Sequence, residues 1–538
     1  MNAGFNASRL AAALLASMLP GALANAQTTP LPPLVTTRIS VDSAGGQGNG
    51  ESDLWANGQV SADGRFIVFD STAPNLVPGD TNGVGDIFVH DRMTGETTRV
   101  SVNSSGKQGN GWSGFSSISA NGRYVAFTSE ATNLVPSDSN HVNDVFVHDR
   151  VTGETTRASV DSFGNQGDDS VGRCLLSADG RFVAFTSSAT NLVLGDTNGK
   201  DDAFVHDRVT GETTRVSVDS FGNQGNGDTW LPAISADGRY VAFDSYATNL
   251  VPGDTNKADD VFVHDRVTGE TTRVSVTSSG DQVTDVGGMF PSLSAEGRFV
   301  AFMSASRQLV PNDTNWAEDI FVHDRVTGET TRVSVDSQAR EGERDSEWES
   351  ISADGRYVAF ASWSNNLAWN DKDPGRDVFV HDRKTGLTTL VSPRIDASAA
   401  WPSGSGWPSI SADGRYVAFD GHEANLVPDD TNQSGDVLVR GPELTLEADP
   451  TVITGGQLLT LTTYKSVPGN PASLWIVGVN GSPVSLLVSE GFFDGDGLFV
   501  LSGAVPPGLG PLAITFRSYG TGASGLENRT NDIAVSFQ

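Results

Sequence analysis

Seven times along the chain an aspartate is followed two residues later by Asn or Asp, and four residues after that by a second aspartate. The triplets are Asp80, Asn82, Asp86; Asp138, Asn140, Asp144; Asp196, Asn198, Asp202; and Asp254, Asn256, Asp260. They continue with Asp313, Asn315, Asp319; Asp371, Asp373, Asp377; and Asp430, Asn432, Asp436. A hard cation such as calcium takes about six to eight carboxylate, amide and carbonyl oxygens, so each loop offers part of a shell. The spacing is not that of an EF-hand, because the third ligand falls at the seventh position and no Glu closes the loop. Lys200 and Lys257 inside two of the loops oppose a cation. The same side chains also cap turns by accepting from nearby backbone N–H groups. Two readings stand: at least one loop holds calcium, or the triplets only fix their turns. No cofactor is required, and calcium is the candidate ion.

A second group stands out because it breaks a repeat. Four residues ahead of each Ser-Ala-(Asp/Asn/Glu)-Gly tetrapeptide lie Asn57, Phe115, Arg173, Leu231, Phe290, Trp348 and Trp407. Trp363, Trp369 and Trp401 add aromatic weight nearby. Rings beside water suit sugar faces, peptide side chains or a protein surface; the alternative is packing between repeats. Six histidines, His90, His148, His206, His264, His323 and His381, recur at one repeat position. Spread that evenly they do not converge on a metal, and a hydrogen bond within each repeat is the expected role, with the following Asp-Arg fixing a turn. The lone histidines His141 and His422 carry no signal. The charge-dense stretch 338–347 reads as a solvated loop. No G-x-S-x-G or H-E-x-x-H motif is present, which leaves the serine-hydrolase and zincin mechanisms unsupported. Arg173, Glu347 and Glu349 are the groups a glycosidase or lyase would recruit.

These residues ride on an internal repeat. The tetrapeptide starts at Ser61, Ser119, Ser177, Ser235, Ser294, Ser352 and Ser411, 58 or 59 residues apart. Each unit reads as four short strands, illustrated by Ser117-Ile118-Ser119, Tyr124 to Phe127, Val145 to His148 and Thr155 to Val160. Asn-Gly and Asp-Gly turns between them tolerate positive φ. A four-stranded unit repeated seven times predicts an all-β fold, a seven-bladed β-propeller. The seventh unit lacks its fourth strand, and Thr36 to Val41 supplies a matching segment ahead of the first, so an N-terminal strand closes the ring. The tight turns should share one face, and the longer links the opposite face, where the channel-mouth residues fall.

The motif S-A-D-G-R-Y-V-A-F followed by D-V-F-V-H-D-R-x-T-G-E-T resembles the TolB-type, WD-like repeat of exported bacterial propellers over about residues 35–441. The resemblance implies the fold and no particular activity. TolB-type rings carry six blades behind an α/β domain; with seven units and no such domain here, the family's envelope partners are not carried over.

The net charge of −31, from 35 basic and 66 acidic residues, excludes nucleic acid as an expected partner, since phosphates are bound through Lys and Arg. Residues 1–26 read as a signal peptide, with Arg9, an apolar stretch 10–23 and an Ala24-Asn25-Ala26 cleavage pattern. No later segment predicts membrane insertion. Localisation is therefore expected to be periplasmic or extracellular. The one cysteine, Cys174, excludes an intramolecular disulfide and reads as a small buried residue. Residues 443–538, Gly/Pro-punctuated and rich in Val, Leu and Thr, predict a small Ig-like β-sandwich. The expected function is an exported, monomeric, non-enzymatic binding scaffold whose long-loop face engages a protein or glycan. A carbohydrate-active enzyme on the same face and a structural envelope protein are the alternatives.

Overall fold

The computed structural model describes residues 36–441 apart from 55–57, 372–373, 395–403, 424 and 433, and, beyond 441, the backbone of the strands. Segment 1–26, expected to be a signal peptide, and Asn57, Asp373 and Trp401 lie outside the described residues. Every regular element described is a β-strand, and no helix is long and apolar enough to cross a membrane.

Residues 36–440 form one compact unit, a ring of seven four-stranded antiparallel blades. Blade two shows the pattern: Ser113–Ile118, Tyr124–Ser129, Asp144–Asp149 and Thr155–Arg157, numbered from the inside outwards. The second and third strands are buried along nearly their whole length, which explains their continuous apolar character. Each contributes a phenylalanine, and the pair packs ring against ring, as Phe127 and Phe146 do at 6.0 Å. The core lies between blades: Val68, Val89 and Val100 of blade one pack with Ile118, Val125 and Phe127 of blade two. Closure occurs as the repeat arithmetic predicts, with Thr37 opposite Val439 and Arg38 opposite Leu438 in blade seven.

The repeated polar residues bolt neighbouring blades together. In the Ser-Ala-Asp-Gly turn, the Ser61 hydroxyl accepts from Phe66 N and donates to Asp63. Six backbone bonds run from turn to turn, beginning with Ala62 N to Ala120 O and ending with Ala353 N to Ala412 O. Gly122 has φ 72°, and a Cβ there would collide with the Phe66 ring of the preceding blade, so glycine is required twice over.

The histidine–aspartate–arginine run divides its work in three. His148 Nδ1 lies 2.9 Å from Thr155 Oγ1, whose single hydrogen is donated to Val102 O of the preceding inter-blade link at 2.5 Å. The imidazole must therefore donate from Nδ1–H. The same pair forms in all six blades that carry the histidine. Burial lowers each of these six imidazole pKa values. Asp149 clamps Arg123 in a bidentate pair at 2.9 and 2.7 Å. Arg150 reaches beyond its own blade, lies 4.5 Å over the Phe66 ring and donates to Gly122 O. The Asp-Arg pair was expected only to fix a turn; its arginine also binds the neighbouring blade.

In the C-terminal unit the strands form two sheets. Leu446–Asp449, Leu458–Tyr464 and Leu498–Ala504 make one. The other contains Val452–Ile453, Ile533–Phe537, Leu512–Thr521, Pro471–Val479 and Ser482–Phe492, with Glu527–Arg529 at its side. The strand Ser482–Phe492 was not anticipated.

Candidate functional site at the channel mouth

Each of the inner strands of blades two to seven carries a register shift, between Gly114 and Ser117 in blade two and between Glu347 and Ser350 in blade six, for example. A bulge adds one residue and re-aims its side chain. The bulged residues include Phe115, Leu231, Phe290, Trp348 and Trp407, all with φ between 41 and 58°. Positive φ in side chains this bulky is uncommon and costs on the order of 1–3 kcal/mol. The following position holds Ser116, Pro232, Pro291, Glu349 or Pro408; proline is tolerated because the bulge releases its strand hydrogen bond. Cys174 takes that place in blade three. It is fully buried, with its thiol pushed up to about 12 by burial, as befits a packing residue rather than a nucleophile.

The predicted channel-mouth residues converge. Arg173, Leu231, Phe290, Trp348 and Trp407 line one small space together with Leu175, Pro232, Pro291 and Glu349. The Arg173 guanidinium lies 4.7 Å over Trp407 and 5.3 Å over Phe115. On its other side Trp407 stacks on Trp348, and Arg376 lies 4.2 Å over Trp348 and 5.5 Å from Trp363. A ladder of alternating rings and guanidinium groups thus joins blades two, three, six and seven. The space left beside it is about 30 Å³, room for one or two waters. The mouth was expected to present ring faces to a ligand; here the faces of Trp348 and Trp407 are covered by each other and by arginines, and edges remain.

Beneath the ladder sit two carboxyl groups not identified from sequence as a pair. Glu349 is fully buried and neither oxygen has a hydrogen-bond partner among the described residues. Burial pushes its pKa up, with Asp244 adding to the rise. Asp244, also buried, is raised by burial and by Asp259 while Arg173 opposes. Burial brings Arg173 down to about 10, Asp244 working against that, so it stays cationic at neutral pH. Glu347 faces Arg376 at 3.9 Å. The space that Glu349 borders is the same small one, about 30 Å³. Three tryptophans outside this space are exposed: Trp230, on the inner strand of blade four, by 43%, and Trp316 and Trp369, in or beside the Asp/Asn loops of blades five and six, by 78% and 87%. Of these, Trp230 and Trp316 were passed over in the sequence because no repeat position marks them.

The seven Asp/Asn loops lie apart from the mouth and do not meet one another. In blade one Gln108 donates to both Asp80 and Asp86 at 2.8 Å, Ser101 donates to Asp86, and Asn82 donates to Asp86 at 3.0 Å. Arg99 stands 3.5 Å from both carboxylates. Arg157, Arg215, Arg273, Arg332 and Arg38 occupy the same place over Asp138 and Asp144, Asp196 and Asp202, Asp254 and Asp260, Asp313 and Asp319, and Asp430 and Asp436. Asn140, Asn198, Asn256, Asn315 and Asn432 each donate to the link beyond, as Asn140 does to Gly167 O. In these six loops a guanidinium neutralises the paired carboxylates. Blade six differs: Leu390 replaces the arginine beside Asp371 and Asp377.

No family model matches the sequence, and no curated protein matches it. Solved structures with similar architecture include a protein from Agrobacterium tumefaciens assigned as TolB, 14% identical over 64% of this chain and 94% of that one, TM-score 0.34. A GH74 xyloglucanase from Xanthomonas campestris is 12% identical over 80% of this chain and 59% of its own, TM-score 0.39. A periplasmic gluconolactonase from Pseudomonas aeruginosa is 14% identical over 85% and 99%, TM-score 0.33. At these identities the likeness concerns architecture and carries no residue role to this chain.

Proposed function

We propose that the chain is an exported, monomeric, non-enzymatic binding scaffold, a TolB-like propeller followed by an Ig-like module, whose long-loop face engages a protein or glycan partner. The observation that supports this reading is the channel mouth itself. Where the repeat is broken, strained bulges collect a cationic–aromatic ladder, and outside it Trp230, Trp316 and Trp369 are exposed. Strain of this kind gathers at functional positions, and Trp and Arg carry most of the energy in protein interfaces. The ladder's covered ring faces suit a partner that meets ring edges and guanidinium N–H groups, which favours a protein surface; a glycan would use the exposed tryptophans instead. The acidic net charge directs the partner away from nucleic acid. Calcium, the candidate ion, would bind at the Asp/Asn loops.

The test is gel retardation of the purified chain by soluble xylan, β-glucan and pectin, alongside Trp230→Ala, Trp316→Ala and Trp369→Ala variants. Retardation that a tryptophan variant abolishes supports glycan binding at this face. Release of reducing ends from any of the three polysaccharides overturns the non-enzymatic reading in favour of a carbohydrate-active enzyme.

A further inference from the structure

At the seam where the last blade meets the first, three carboxylates stand around one imidazole. Asp53 comes from the inner strand of blade one and Glu51 from just ahead of it, Asp420 and His422 from the second strand of blade seven and the link beyond it. His422 Nδ1 lies 3.4 Å from Glu51 Oε1, and His422 Nε2 lies 3.9 Å from Asp53 Oδ1 and 3.8 Å from Asp420 Oδ2. Glu51, Asp53 and His422 place one ligand atom each within 4.8 Å of one another.

Two further observations distinguish this cluster from surface acids. The Asp420 side chain is only 5% exposed, and its Oδ1 is buried with no hydrogen-bond partner. An ionised carboxylate so placed is costly unless a cation compensates it. Arg376, the guanidinium beyond Asp420, interacts favourably with it while its Nε donates to Ser405 O at 3.1 Å, and on the near side the facing group is His422. In addition, Gly435 leaves the ring its space: a Cβ there would lie 2.7 Å from His422 Cε1 and 3.3 Å from Glu51 Oε1. Solvent reaches the site from the side of Glu51 and His422, while Asp53 and Asp420 close it below.

The structure assigns to this seam a binding site for one divalent transition-metal ion, held by His422 Nε2 and the carboxylates of Asp53 and Asp420, with Glu51 orienting the imidazole through Nδ1. One imidazole with carboxylates suits zinc or manganese rather than a soft or purely oxygen-seeking ion. Ligand atoms around such an ion at about 2.0–2.2 Å stand roughly 3.3 Å apart in a tetrahedron, so the present 3.8 and 3.9 Å need contract by only about half an ångström. A carboxylate on the far imidazole nitrogen is the usual outer partner of a metal-bound histidine. The ion would tie blade one to blade seven beside the two-residue closure strand. This inference is independent of the partner proposed for the channel mouth.

The experiment is calorimetric titration of ZnCl₂ and, separately, MnCl₂ into the tag-free, EDTA-stripped full chain at pH 7.5, with thermal melts of the same samples. The expected result is one equivalent of bound metal, a melting temperature raised by saturation, and affinity at least tenfold weaker in His422→Ala and Asp420→Asn. Glu51→Gln, at the exposed rim, is expected to weaken binding while keeping the fold by circular dichroism, so a folding failure of the other variants leaves the site testable. Asp80→Asn, in a distant loop, is expected to bind as the parent does. Absence of saturable binding of both metals, or binding unchanged by both His422→Ala and Glu51→Gln, overturns the assignment.

Discussion

Trp348 and Trp407, on adjacent inner strands of blades six and seven, stack with ring centroids 4.3 Å apart and planes 14° from parallel. Each stands at a bulge with positive φ, and each has an arginine on its outer face. The strained backbone is thus held by the contacts it makes possible.

Trp407→Ala removes the centre of this ladder and is expected to destabilise the propeller by about 1–3 kcal/mol, since the ring is half-buried. Trp369→Ala, at an 87% exposed ring, is expected to change stability by no more than about 0.5 kcal/mol. Guanidinium unfolding of both variants checks the contrast. Equal losses would mean that the stack adds nothing to the ring.

Glu349 is a carboxyl whose folded pKa is raised by burial. Its stabilising protonated form is fully present below the unfolded value near 4.5. Stability is then lost as pH rises through the folded value, because the native state binds the proton the unfolded state has released. Glu349→Gln is therefore expected to melt higher than the parent at pH 8, by a few degrees, with the difference vanishing at pH 4. A variant that melts lower at pH 8 would show that the carboxylate is ionised and compensated.

The six repeated histidines have the opposite shift. Burial holds them below 6.5, His381 at about 4. Their neutral state stabilises the fold above pH 6.5 and is lost as pH falls towards the folded values, since the unfolded chain takes up more protons. Melting temperature should fall steadily from pH 7 to pH 4. Thr155→Val, which strands His148 Nδ1–H and Val102 O, is expected to cost about 1–3 kcal/mol at pH 7 by denaturant titration.

Blade five offers a natural variant of the Asp/Asn loop. Glu341 stands where Gln108 and its equivalents donate to the first aspartate. Asp313 Oδ1 is left buried without a donor, and Asp313 rises to about 6, mainly by burial and then by Asp319. Glu341→Gln restores that donor and is expected to raise stability by about 0.5–1.5 kcal/mol at pH 7. Loss of stability on chemical denaturation would show that the Glu341–Arg332 contact at 2.9 Å outweighs it.

Returning millimolar calcium to the EDTA-treated chain is expected to leave the melting temperature unchanged, because arginines already compensate six of the loops. A calcium-dependent rise that survives His422→Ala would place an ion in at least one Asp/Asn loop.

The blades and their closure were legible because period, turn chemistry and apolar runs all repeat, and Thr36 to Val41 matches a strand missing 400 residues later. The convergence of Phe115, Arg173, Phe290, Trp348 and Trp407 was legible from their shared repeat position. That their faces would be consumed by mutual stacking was not, because it depends on bulge geometry. Glu349 looked like an available acid, and only its depth in the channel shows otherwise. His422 looked solitary, since Glu51 and Asp53 stand some 370 residues away in sequence and meet it solely because the ring closes.

The arginine that each blade lays on its predecessor's ring has a consequence for assembly. Arg92 covers Tyr416, Arg150 covers Phe66, and the series continues to Arg383 over Phe299. Every such contact has polarity, a donor side and an acceptor side, and is heterologous in the sense used for subunits. Contacts of this type propagate without limit unless the rotation between successive members brings the last back to the first. Blade seven, with Arg440-Gly441-Pro442 in place of His-Asp-Arg, donates no such arginine to Tyr357. A fragment of a few blades would keep an unused donor at one end and an unused acceptor at the other; in the whole ring the first blade's donor is used, because Arg92 covers Tyr416 of blade seven.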